Sequence, residues 1–131
     1  MKDGVREFLS SASAGDAERL DAAIAQEPAF RQFSTSFNYC SKPKRFFASK
    51  DRDEVIRRLM DRHAQGDRYR LLTLHRGDYD RSFKICNLGF TIDRRIEAGP
   101  WRPFVGKGAL DARTGTVAVW NVGGELPSEQ P

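Results

Sequence analysis

"FVGKGALDARTGTVAVW" (residues 104–120) decides the architecture, and Gly106-Lys107-Gly108 at its centre admits two readings. A dinucleotide fingerprint needs G-x-G-x-x-G between a strand and a helix, so that helix amides meet the pyrophosphate. Here the third glycine is replaced by Asp111, and a turn and strand follow instead of a helix. The phosphate loop G-x-x-x-x-G-K-[ST] fails too, because Lys107 is followed by Gly108. What remains is a strand with two glycines on one side, where a sheet bends sharply or another backbone comes close.

Outward from that stretch, residues 101–111 and 116–122 read as two strands joined by "ARTG" (112–115). Upstream, residues 69–76 and 81–93 read as two more, joined by "GDYD" (77–80) and closed by Gly99-Pro100. Before Gly66 the apolar period changes. Val5, Phe8, Leu9 and Ala12 recur at helical spacing over residues 3–13. Gly15 breaks that helix, Asp16 caps a second one carrying Leu20 and Ile24, and Pro28 follows its end. Phe33, Thr35, Phe37 and Tyr39 alternate with polar residues, which predicts a half-buried strand. Asp51 with Glu54 resembles a capping box, so a third helix starts near Arg52, with Val55, Ile56, Leu59, Met60 and His63 inward and Gly66 as terminator. The order predicts an α+β domain: a curved antiparallel sheet with three helices on one face.

The chain has 131 residues, 39% hydrophobic and 31% charged, which suits one soluble domain over residues 1–123 with a frayed tail at 124–131. No apolar run approaches the ~20 residues that cross a bilayer, and "MKDGVREFLSS" is too charged to read as a signal peptide. Cys40 and Cys86 lie far apart and outside any metal-ligand spacing, as reduced thiols of a cytoplasmic protein do. The net charge of +4 is mild. Lys42, Lys44, Arg45, Lys50 and Arg52 cluster around Phe46 and Phe47, but one short cluster is not the continuous basic face that nucleic acid requires.

Three blocks carry a family resemblance: Phe8 with "SASAGDAERLDAAIA" (11–25), "DRDEVIRRLMDRHAQG" (51–66) and "GKGALDARTGTVAVW" (106–120). Their order resembles the nuclear-transport-factor-two-like superfamily, close to its SnoaL-like (polyketide-cyclase-like) branch. The resemblance implies a cone, cystatin-like in outline, in which a bent sheet wraps the helices around an apolar pocket. It also implies homodimers through the outer sheet face. The residues agree on the dimer, since apolar side chains fall on both faces. Cys86, Leu88, Phe90 and Ile92 oppose Phe83 and Ile85, and Leu71 opposes Leu72 and Leu74.

Superfamily members include isomerases, dehydratases, epoxide hydrolases, cyclases and non-enzymatic binders, and fold does not choose among them. The expected partner is a small apolar molecule, either bound or turned over by proton transfer; the alternative is a dimerisation or protein-association module. His75 shares strand parity with Tyr69, Leu71 and Thr73, so it points inward as a general acid or base if Arg68, Arg70 and Arg76 face solvent. Otherwise it is structural or lies at the dimer face. His63, in the last turn of the third helix, either lines the pocket or caps carbonyls. Tyr39, Asn87 and Trp120 are strand residues that line a pocket or else pack the core or an interface. Two histidines without a third ligand make no zinc site, and no cofactor is expected. A proton-shuttling carboxylate needs an apolar setting; only Asp93 and Asp111 fall on strands, both near the ends.

Overall fold

The computed structural model describes residues 2–36 and 46–125. Helices α1 (Lys2–Ala14) and α2 (Ala17–Ala23) meet at Gly15, whose φ of 65° is left-handed and suits glycine. Asp16 caps α2, its carboxylate accepting from the Arg19 amide at 3.1 Å. The α1 stripe of Val5, Phe8, Leu9 and Ala12 is buried as its spacing predicts. Strands β1 (Gln32–Ser36) and β2 (Phe46–Ser49) precede α3 (Arg52–Ala64), which Asp51 caps by accepting from the Asp53 and Glu54 amides. Strands β3 (Arg68–Asp80), β4 (Ile85–Arg95), β5 (Trp101–Asp111) and β6 (Val117–Glu125) complete the chain.

The six strands form one curved sheet in the order β2-β1-β6-β5-β4-β3, wrapped around the helices as an α+β cone. Two features differ from the sequence reading. β1 runs parallel to β6, with Phe33 opposite Trp120, so the sheet is mixed rather than antiparallel. β2 extends the sheet beyond β1; its four residues, flanked by charges, read as loop in the sequence. Arg52, grouped there with the basic cluster, is a latch instead. Its guanidinium donates to the Ala25 (2.7 Å), Asp21 (2.8 Å) and Ile24 (3.1 Å) carbonyls, satisfying the C-terminal end of α2. Lys42, Lys44 and Arg45 lie outside the described residues.

Gly106 and Gly108 do what the bent-strand reading asks. A Cβ on Gly106 would strike the Phe90 ring, and one on Gly108 would strike the Val119 carbonyl oxygen. The glycines let β5 pass under the Phe90–Trp120 stack and close against β6. No described helix is long and apolar enough to cross a membrane.

A bulge in β3 changes which residues face the helices. Leu71 pairs with Ile92, but Thr73 pairs with Thr91 and Leu74 with Phe90, so one extra residue near Leu72 reverses the strand's parity. Leu71 and Leu74 therefore share the inner face instead of opposing each other. Phe83 lies in the turn after β3, stacked under the Arg31 guanidinium at 3.9 Å, and so does not belong to a second strand face.

Candidate functional site

The cone holds a cavity between α1, α3 and the inner face of the sheet. Its floor and walls are apolar: Phe8 and Leu9 from α1, Phe33 from β1, Ile92 from β4 and Trp120 from β6. Trp120 stacks on Phe90 with ring centres 4.3 Å apart and tilts against Phe8 at 4.6 Å, which fixes the floor. The enclosed space is small, about 20 Å³. Its interior is narrow and admits a water, so a larger guest must displace the rim.

The polar part of the lining is cationic. Arg58 and Arg62 come from α3, Arg94 from β4 and Tyr69 from β3, and no Asp, Glu or His lines the cavity among the described residues. Val55, Arg58, Leu59 and Arg62 stand at i, i+3, i+4 and i+7, so the two arginines share the helix's buried stripe. Arg94 continues the inward parity of Leu88, Phe90 and Ile92 and is only 2% exposed.

Each guanidinium is held differently. Arg62 makes two parallel bonds to the Asp67 carboxylate, both 2.8 Å, and its Nη2 lies 3.5 Å from Glu97. Asp67 is fully buried, and its Oδ1 also accepts the Glu97 amide at 2.7 Å. Arg94 donates to the Ser36 carbonyl at 3.2 Å and lies over the Phe104 ring at 4.9 Å. Arg58 lies over Phe47 at 4.9 Å, and its Nε is buried with no hydrogen-bond partner among the described residues.

Tyr69 sits opposite Arg94 on the neighbouring strand. Ser13 pins it to α1, accepting from its amide (2.8 Å) and donating to its carbonyl (2.9 Å). Burial pushes the phenol up to about 12, against the pull of the Arg94 charge. Because the folded value exceeds the unfolded value of 10.0, the native chain keeps a proton that the unfolded chain loses. The stability it contributes is therefore complete below pH 10 and falls between pH 10 and pH 12, by about 2–3 kcal/mol in total. Urea melts across that range should show the slope in the native chain and lose it in Tyr69→Phe; an unchanged slope in the variant assigns it elsewhere.

Of the residues singled out in the sequence, Trp120 lines the cavity. His75 does not. The β3 bulge turns it to the outer face, opposite Gly89, where it is exposed. Asn87 pairs with Ala109 on that same outer face, so it does not line the cavity either. His63 packs its ring against Gly15 at the α1–α2 corner and is likewise not a lining residue. Tyr39 lies outside the described residues. Asp93 is engaged on the outer face by Arg70, at 2.7 Å and 3.0 Å. Asp111 closes the β5–β6 turn, its carboxyl held below the usual range by the Arg113 amide, with a further bond from Thr114.

No protein-family model and no curated protein sequence matches the chain. Solved structures do. A protein of the NTF2-like family from Streptomyces avermitilis superimposes at a TM-score of 0.64, with 13% identity over 97% of this chain and 94% of that one. A chain of the yeast complex of the deubiquitinase Ubp3 with its cofactor Bre5 follows at 0.63, with 14% identity over 99% and 98%. An LEH-like epoxide hydrolase of M. tuberculosis gives 0.54, with 17% identity over 95% and 76%. At these identities the likeness is one of fold, and the fold is NTF2-like.

Proposed function

We propose that the protein binds a small molecule with an apolar body in the cone cavity. The observation that carries this reading is the lining itself: aromatic and aliphatic walls around a few convergent polar side chains. Tyr69 can donate a hydrogen bond but stays neutral at ordinary pH. We further read the protein as cytoplasmic and, from its three sequence blocks, as close to the SnoaL-like branch.

Thermal melts against a panel of small aromatic and alicyclic compounds test the binding. A guest at a hundred times its Kd adds about 2.7 kcal/mol to native stability, a rise of several degrees. Ala12→Phe, which fills the cavity from α1, should erase the rise, while His75→Ala should keep it. A flat response of the native protein across the panel, or a rise untouched by Ala12→Phe, removes the reading.

A second reading, association through the outer sheet face as a homodimer, draws on other residues. Leu72 is 48% exposed, Val105 40% and Trp101 36%. The yeast Ubp3–Bre5 chain has this fold within a protein complex. Equilibrium sedimentation at micromolar protein decides it, and a monomer there sets the dimer aside.

A further inference from the structure

We infer that the occupant of the cavity is an organic acid, its carboxylate seated on Arg58 and Arg94 and its hydrocarbon body on Phe8, Phe33 and Trp120. This inference rests on the cavity being a binding site and goes further by naming the chemistry of the guest.

A guanidinium taken from water into an apolar wall is expensive unless an anion or several acceptors meet it. Three guanidinia line this cavity and no acid does, among the described residues. Asp67, the buried carboxylate at the end of α3, is already committed. Both its oxygens are engaged by Arg62, and one also takes the Glu97 amide.

Arg58 makes the asymmetry plain. Its planar face is satisfied by the Phe47 ring, yet its Nε is buried with no acceptor among the described residues. A buried donor left in this way calls for an acceptor supplied from elsewhere. Arg94 bonds the Ser36 carbonyl and lies over the Phe104 face, and its inward strand parity places it on the wall of the same cavity. A planar carboxylate suits guanidinium donors, whose rigid fork matches two oxygens at once. The Tyr69 hydroxyl, on the strand beside Arg94, adds a neutral donor.

Charge alone would suit an inorganic anion, but the remainder of the site does not. The aromatic floor of the cavity has nothing to offer a fully hydrated ion, and it matches a ring or a short hydrocarbon chain. The two halves together select an amphiphile: one acid group, one apolar body.

Phenylacetate, phenylacetamide and 2-phenylethylamine share a body and differ in charge, so they separate the inference from the reading beneath it. Titration calorimetry on the full chain at 0.15 M salt should find phenylacetate binding at least about tenfold tighter than the amide, with the amine weakest. Arg58→Met should lower phenylacetate affinity about tenfold and leave the amide nearly unchanged. Equal affinity for acid and amide, or preference for the amine, overturns the acid inference while leaving the cavity as a binding site. Absence of binding by all three overturns both. An acid preference that survives Arg58→Met undiminished places the anion elsewhere and also overturns it. The acid–amide comparison uses the native protein, so its outcome does not depend on how any variant folds.

Discussion

Asp67→Ala should cost about 3–5 kcal/mol of folding stability, among the largest single losses available in this chain. The carboxylate is fully buried and receives two bonds from Arg62 and one from the Glu97 amide. Removing it takes the bidentate counter-charge from a guanidinium whose side chain is only 11% exposed, and the Glu97 carboxylate at 3.5 Å is a longer ion pair. The loss has a structural reach as well. Asp67 joins the end of α3 to the β4–β5 turn, where Glu97 and Ala98 hold positive φ values of 53° and 58°. Urea unfolding should show a lower midpoint at unchanged slope. Asp67→Asn should recover part of the loss, since an amide oxygen still accepts from the Glu97 amide. In the double variant with Arg62→Met the two effects should be strongly non-additive, because the cation that needed a counter-charge is gone. A loss below about 1 kcal/mol for Asp67→Ala would mean that Arg62 finds another partner, and the account of how α3 presents its arginines would fall with it.

The same residues show how far periodicity carries and where it stops. Stripes and caps were legible because each rests on a local rule: Val5, Phe8, Leu9 and Ala12 bury one helical face, and Asp16 and Asp51 accept amides of the helices they precede. Trp120 was legible as a candidate lining residue, and the paired glycines at 106 and 108 as the bend beneath it. The arginines were not, because an apolar pattern treats every charge as solvent-facing. Yet Arg58 and Arg62 complete the i, i+3, i+4, i+7 set begun at Val55, and Arg94 stands two residues beyond Ile92 on the same parity. Extending each apolar stripe through its charged members would have found all three. His75 failed for another reason. Alternation holds only while the register holds, and a single extra residue near Leu72 reverses it without any glycine or proline to announce it. The parallel β1–β6 pairing is non-local, set by the return of the chain's end beside Phe33, and no window of sequence contains both strands.

Trp120→Ala should lose about 3–5 kcal/mol, and unlike the loss at Asp67 this one should be partly reversible by a guest. Trp120 is 4% exposed, stacked on Phe90 and tilted against Phe8, so its removal opens a void in the cavity floor and deletes two aromatic pairs. The surrounding groups are poorly placed to collapse into it. Phe90 is backed by Gly106, which gives it room to sit and no side chain to push it forward, and Gly108 lies directly opposite the tryptophan on β5. A void left by an aromatic side chain accepts apolar molecules of its own shape. Indole should therefore raise the melting temperature of Trp120→Ala by several degrees and that of the native protein by less, since the native floor already carries its own indole. The comparison locates the cavity independently of the arginines: a neutral guest that restores the floor owes nothing to the charged wall. A loss under about 1.5 kcal/mol, or no differential response to indole, would mean that the sheet closes over the missing ring. The inner face would then be a solid core, and the acid site would have no floor on which to rest a hydrocarbon body.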